Sequence, residues 1–275
     1  MSSPESNTLS PVTKDAPEAD GLSTSQDVPG HSAPKWGVAD AATGTVLSIL
    51  CVLGWTALVR TVIIDPALQV LGAYLAVWVP LLGAVLVASF VRGRRSLTLD
   101  FGLRFTWLDL CWGVGLGLLA RAAVSGIELA TSGRVAGFGV RLELPTGFEL
   151  WFGLLLAPIV LGPLVEELFF RGLVLRAVER GAGGGDRGDG GDRRSRVAGA
   201  SVAAASVAVL TSALVFALLH MTQATTGAEA WRLGAGSLVF GLAAGVATVL
   251  TGRLGAAIIG HMVFNGVLIA AVLSA

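Results

Sequence analysis

Seven apolar stretches, each close to the roughly 20 residues that carry a helix across a bilayer, take up most of the chain beyond residue 40. They run over about 41–64, 67–91, 108–130, 151–175, 197–220, 233–250 and 255–273. The chain is 53% hydrophobic and only 14% charged, where a soluble domain carries about 25% charged residues. The expected fold class is all-α, a polytopic transmembrane helical bundle of about seven spans, in an integral membrane protein. The formal net charge is zero, so nothing points to nucleic acid as a partner. Nothing in the composition assigns an oligomeric state.

Residues 1–36 are rich in Ser, Pro, Asp and Glu without apolar periodicity and are expected to form a disordered tail; His31 falls in it as a bystander. The tail lacks the basic start and short apolar core of a signal peptide. Residues 37–275 then form the membrane domain. Asp65-Pro66 marks a turn between the first two spans, and Pro80 lies within the second. Arg92, Arg94, Arg95 and Arg104 follow, among alternating apolar residues from Leu97 to Trp107. That segment is expected at the membrane surface. Arginines also crowd the Gly/Asp/Arg loop over 181–196. Both basic connections fall on one side of a seven-span bundle, so the positive-inside rule places the N-terminus in the cytoplasm. The Ala, Gly and Arg richness points to a bacterial source and its plasma membrane. Cys51 and Cys111 lack metal-ligand spacing and are expected to be buried thiols.

The fourth span holds the densest chemistry. Glu166 and Glu167 sit inside its apolar run, five and four residues before Arg171 respectively. An ionised group at that depth costs at least about 2.5 kcal/mol, so paired acids there point to function. Glu167 and Arg171 are i,i+4 and share a helix face, while Glu166 is turned by about 100°. The arginine is thus expected to neutralise Glu167 and leave Glu166 free. Pro163 removes a backbone hydrogen bond just before the acids, and the opened backbone can admit water beside a cavity. On the third span Arg121 is expected to point into the bundle as a counter-ion, with Glu128 on the same face about 10 Å along the axis.

The two histidines outside the tail are both intramembrane. Phe216 and His220 are i,i+4 on the fifth span, and His261 and Asn265 are i,i+4 on the seventh. Asn265 is costly in hydrocarbon unless hydrogen-bonded. Two histidines, an asparagine and two acids favour one shared polar cavity. Simple helix geometry sets Glu166 near mid-membrane, His261 nearer the cytoplasm and His220 nearer the opposite face, so a shared cavity requires the fifth helix to start outside the bilayer or to tilt. Gly241 and Gly245 form a small-xxx-small pair that permits close helix packing.

Glu166-Glu167-x-x-x-Arg171, Phe216-x-x-x-His220 and His261-x-x-x-Asn265, in that order on successive helices, resemble the three motifs of the CAAX prenyl protease and bacteriocin-processing (CPBP, or Abi) family over about 145–275. The resemblance implies an intramembrane glutamic endopeptidase, similar to the type II CAAX prenyl endopeptidases. It implies catalytic roles for Glu166, His220, His261 and Asn265, supported by Glu167, Arg171 and Phe216. A partly desolvated Glu166 would act as general base toward water, with His220 orienting that water. His261 and Asn265 would donate to the oxyanion. No cofactor is expected; zinc on Glu and His is the alternative, disfavoured by the lack of His-x-x-x-His. The expected partners are the lipid bilayer and a membrane-embedded or lipid-modified peptide substrate. The rival readings are a non-catalytic immunity or partner-binding protein of the same fold and a proton-relay transporter. The latter would want repeated halves with broken helices, and no internal repeat is visible.

Overall fold

The structure, a computed structural model, describes residues 34–137, 144–183 and 193–274, with side chains from residue 201 in the last of these. The chain divides into a unit of residues 1–32 and a unit of residues 33–275. The first unit, most of the loop over 181–196 and the stretch 138–143 lie outside the described residues. So do His31 and nearly all of the expected tail.

The described residues form helices and no strands. Helix α1 covers Val38–Thr61, α2 Pro66–Val91, α4 Trp107–Ser132, α5 Glu149–Gly183, α7 Gly227–Thr251 and α8 Gly255–Leu273. Helix α6 covers Arg193–Met221, and the short α3 covers Leu97–Phe101. Seven of these, all but α3, are long and apolar enough to cross a membrane. The outer face of the bundle is itself apolar: Leu53, Val79, Leu119 and Leu218 are all exposed, as a lipid-facing surface requires. Cys51 and Cys111 lie on that face, which corrects the expectation of buried thiols; their helices present those faces to lipid rather than to the bundle.

Local chemistry sets the helix ends. Asp65 accepts from the backbone N–H groups of Ala67 and Leu68 at the start of α2, with Pro66 at the first helical position, where its missing N–H costs nothing. Pro80 sits inside α2 without ending it. Asp109 takes the N–H of Thr106 at 2.7 Å at the start of α4, and its other oxygen receives Arg253 Nη2 at 2.9 Å. Arg253 lies in the turn between α7 and α8, so this pair ties the entry of α4 to that turn. Gly252 takes the left-handed conformation there (φ 67°), which glycine adopts at little cost, and its carbonyl accepts from Arg176.

The bundle closes where small residues let backbones approach. A Cβ on Gly117 would lie 2.5 Å from the carbonyl oxygen of Gly260, and one on Gly113 would lie 2.6 Å from Ile259. These two glycines, four residues apart on α4, bring α8 in close. Gly241 and Gly245 do the same between α7 and α6, with Ala213 Cα and a Val209 methyl within about 3 Å of a would-be Cβ. In lipid such packing, rather than hydrophobicity, drives helix association.

Beside these contacts, the end of the bundle carrying the basic connections has a buried polar lock. Asp100 accepts from Ser89 Oγ at 2.8 Å and from the Arg94 backbone N–H and side chain. Trp36, assigned to the tail by composition, is only 4% exposed; it packs on Phe101 and under the Arg180 guanidinium.

Burial by itself would raise the Asp100 carboxyl, but the hydrogen bonds from Ser89 and Arg94, with the Arg94 charge, outweigh it and hold the group below the usual carboxylate range. A lowered folded value means that Asp100 stabilises the fold above the unfolded value of about 4, and that this contribution is lost as pH falls through the folded value. In detergent, the Tm gap between the wild type and Asp100→Asn is expected to hold steady down to pH of about 5 and to shrink below about 4. A gap unchanged at lower pH contradicts this.

Candidate active site

Helix α5 is built unusually. Glu149–Leu161 and Leu168–Val174 are π-helical, and the short α-helical segment Gly162–Glu167 between them carries both acids. π-Turns are rare and concentrate at functional sites. In the first π-stretch Gly162 N–H bonds to the carbonyl of Ala157. Continuing that i→i−5 register, residue 163 would serve the carbonyl of Pro158, but Pro163 has no N–H. Asn265 on α8 fills the vacancy, donating from Nδ2 to the Pro158 oxygen at 2.7 Å. The disruption that Pro163 predicts is therefore present, and it doubles as the attachment point for α8.

Glu167 and Arg171 form an ion pair at 2.9 Å with both side chains fully buried. The same carboxylate oxygen, Oε1, also receives His261 Nδ1 at 2.8 Å. Arg171 lies over the Phe216 ring, with Cζ 4.5 Å from its centroid. Phe216 in turn touches the rings of His220 and His261, so it is the apolar wedge among the polar groups. Phe240 on α7 backs His261 at 4.5 Å between centroids. Next to this network, Ser212 Oγ donates to the Phe170 carbonyl at 2.8 Å, joining α6 to the second π-stretch.

Glu166 stands apart from that pair. Its Oε2 is 3.8 Å from His220 Nε2 and 3.8 Å from His261 Nε2, and its side chain is 16% exposed. These separations leave room for one water within hydrogen-bond reach of all three groups. His220 Nδ1 lies 2.9 Å from the Phe216 carbonyl, and since a carbonyl only accepts, Nδ1 carries the proton. His261 Nδ1, facing a carboxylate, does the same. Both Nε2 atoms therefore turn toward Glu166.

All seven sequence-predicted residues thus meet in one place. The depth mismatch inferred from ideal helices does not keep the groups apart: His220, in the last turn of α6, lines the same cavity as Glu166. Arg121 goes elsewhere. It makes no ion pair with Glu166 or Glu167; its guanidinium lies over Phe264, 3.8 Å from the ring centroid. Among the described residues Arg171 is the only arginine or lysine in an ion pair with either acid.

A cavity of about 890 Å³ reaches Glu166, His220 and Asn265 from the ends of α1 and α2 and the first π-stretch of α5. Trp55, Tyr74 and Trp78 give it an aromatic wall. Tyr74 donates to the Gly153 carbonyl at 2.7 Å and so braces the π-stretch. Sequence reasoning assigned no site residue to the second span; the single tyrosine of the chain, set four residues before Trp78, was the available signal. Among the described residues there is no group of three or more His, Cys, Asp or Glu placed to hold a metal ion.

Residues 148–267 match the family model described as Rce1-like, type II CAAX prenyl endopeptidase. This is a protease family, and the matched segment contains all seven of the sequence-predicted site residues, though not the cavity wall from α1 and α2. No curated protein and no solved structure matches the chain.

Removing one partner of the buried pair leaves a bare charge in the bundle. Arg171→Gln is expected to destabilise the protein by about 3–5 kcal/mol, measured by unfolding in mixed micelles. Glu167→Gln with Arg171→Gln is expected to cost less than Arg171→Gln alone, because no unpaired ion remains; an equal or larger loss for the double variant contradicts that account.

Proposed function

We propose, from the match of residues 148–267 to the Rce1-like, type II CAAX prenyl endopeptidase family model, that this integral membrane protein hydrolyses a peptide bond of a membrane-associated substrate with water activated by Glu166. The observation that carries the reading is the position of Glu166 Oε2, 3.8 Å from both histidine Nε2 atoms and outside the Glu167–Arg171 pair.

A water held there gives one proton to Glu166 as its oxygen bonds to the scissile carbonyl carbon. His220, whose Nδ1–H is committed to the Phe216 carbonyl, presents the Nε2 lone pair to the second hydrogen of that water and orients it. The carbonyl electrons move onto oxygen. His261, held by Glu167, and the second amide hydrogen of Asn265 donate to this oxyanion. Collapse breaks the C–N bond, and the proton on Glu166 leaves with the amine. Arg171 and Glu167 hold His261 in register, and Phe216 fixes both rings. The aromatic-walled cavity supports a substrate that arrives from the bilayer, either membrane-embedded or lipid-modified. Basic connections gathered at one end of the bundle, including Arg94, Arg176 and Arg253, support a cytoplasmic N-terminus, and the composition supports a bacterial plasma membrane. Nothing observed favours a non-catalytic immunity or partner-binding role.

Glu166→Gln is expected to lower cleavage by about 10²–10⁴-fold while leaving insertion and Tm unchanged, read by mass spectrometry of membrane peptides from cells carrying either form in place of the deleted gene. An unchanged peptide set refutes the assignment. Cleavage by purified protein is expected to persist in chelator; activity lost to chelator and restored by zinc reassigns Glu166, His220 and His261 as metal ligands.

A further inference from the structure

On the far side of the histidines from the aromatic-walled cavity lies a second, smaller one of about 240 Å³, between α4, α7 and α8. His220, His261 and Asn265 line it, so the site opens onto two spaces. Arg121 lines it as well, only 9% exposed. Its Nε is buried without a hydrogen-bond partner, and among the described residues the guanidinium makes no hydrogen bond or ion pair. The Phe264 ring lies against the face of the group, which leaves the in-plane N–H donors free.

A charge at the middle of a membrane span is costly and is usually paired. The carboxylates nearby do not pair with it. Glu128, two turns along α4, lines the same cavity and acts on Arg121 through space without reaching it; it gives an oxygen to the backbone N–H of Ala136 at 3.0 Å. Glu229, at the exposed start of α7, accepts from Thr225 and faces Arg232 on its own helix. Arg121 is thus a buried cation with its donor edge unused, in a small cavity beside the catalytic groups.

We propose that Arg121 is a specificity-determining residue that binds a carboxylate of the peptide substrate, within a few residues of the scissile bond. A planar guanidinium matches a carboxylate through two parallel N–H···O bonds, and the small volume admits only a short length of chain between that carboxylate and the histidines. The inference rests on the endopeptidase reading of the site. The carboxylate belongs either to the C-terminus of the substrate or to an Asp or Glu side chain, and the probes below separate the two.

The test uses full-length Glu166→Gln protein in micelles, so that nothing is cut, and three dansylated octapeptides of Leu, Val and Ala. One ends in a free carboxylate, one in a carboxamide, and one in a carboxamide with Asp at the penultimate position. At least one of the two acidic peptides is expected to bind about tenfold or more tighter than the neutral one, as hydrogen bonds to a charged group do. Tight binding of only the first assigns the chain terminus; tight binding of the third assigns a side chain. Adding Arg121→Gln is expected to bring the ratio to about one, and Arg121→Lys to keep part of it, with Tm unaltered or raised. Equal affinity for all three peptides, absence of binding included, overturns the proposal, as does a preference that survives Arg121→Gln. With Glu166 restored, cleavage without charge preference sinks this inference alone; charge-dependent binding without cleavage sinks the protease reading and leaves the subsite standing.

Discussion

A single carboxylate oxygen organises the polar site of this bundle. Glu167 Oε1 receives both Arg171 from its own helix and His261 from α8. In water such contacts would be worth little. Inside a bundle surrounded by lipid, each group lacks any better alternative, and an unpaired member would carry a large penalty. The cost of burying the charges therefore forces α5 and α8 into one relative position. Phe216 and Phe240 then fill the space around Arg171, which sets where His220 stands. Glu166 is spared because it points to a different side of the same helix turn.

The backbone of α5 supplies the other half of the arrangement. An α-helical run through this span would satisfy its own carbonyls and offer nothing to a neighbour. Two prolines and the π-register leave the Pro158 carbonyl in need of a donor, and Asn265 meets it. Tyr74 and Ser212 reach the backbone of the same helix at Gly153 and Phe170. Helix α5 is thus held to three neighbours through its backbone. This is how irregular backbone survives at membrane depth, beside a cavity and inside protein.

Much of this was legible in the residues. Polar groups are rare in the spans, so each one that occurs carries information, and the i,i+4 spacing of Glu167 with Arg171 already assigned their pairing. The pairing of His261 with Glu167 was not legible, because the two are 94 positions apart and no local spacing relates them. Arg121 shows the same limit from the other side. Its heptad spacing from Glu128 established a shared face, but which neighbour that face met depended on the rotation of α4 against α8, which the Gly113, Gly117 and Gly260 contacts decide. Cys51 and Cys111 were misplaced for a related reason. In a chain apolar on every side, hydrophobicity does not distinguish the lipid face from the interior.

By itself the sequence determined that the chain crosses the membrane as helices, which polar residues gather at the site, and which local pairs form, because burial cost and the 3.6-residue period act at short range. The tertiary structure alone decided the depth at which those residues meet. Helix α6 brings His220 beside Glu166, α8 is drawn against α4 by glycine contacts, and a proline-freed carbonyl fastens Asn265. These are relations between distant segments, set by close packing and by the need to satisfy every polar group away from water, and no short-range pattern encodes them.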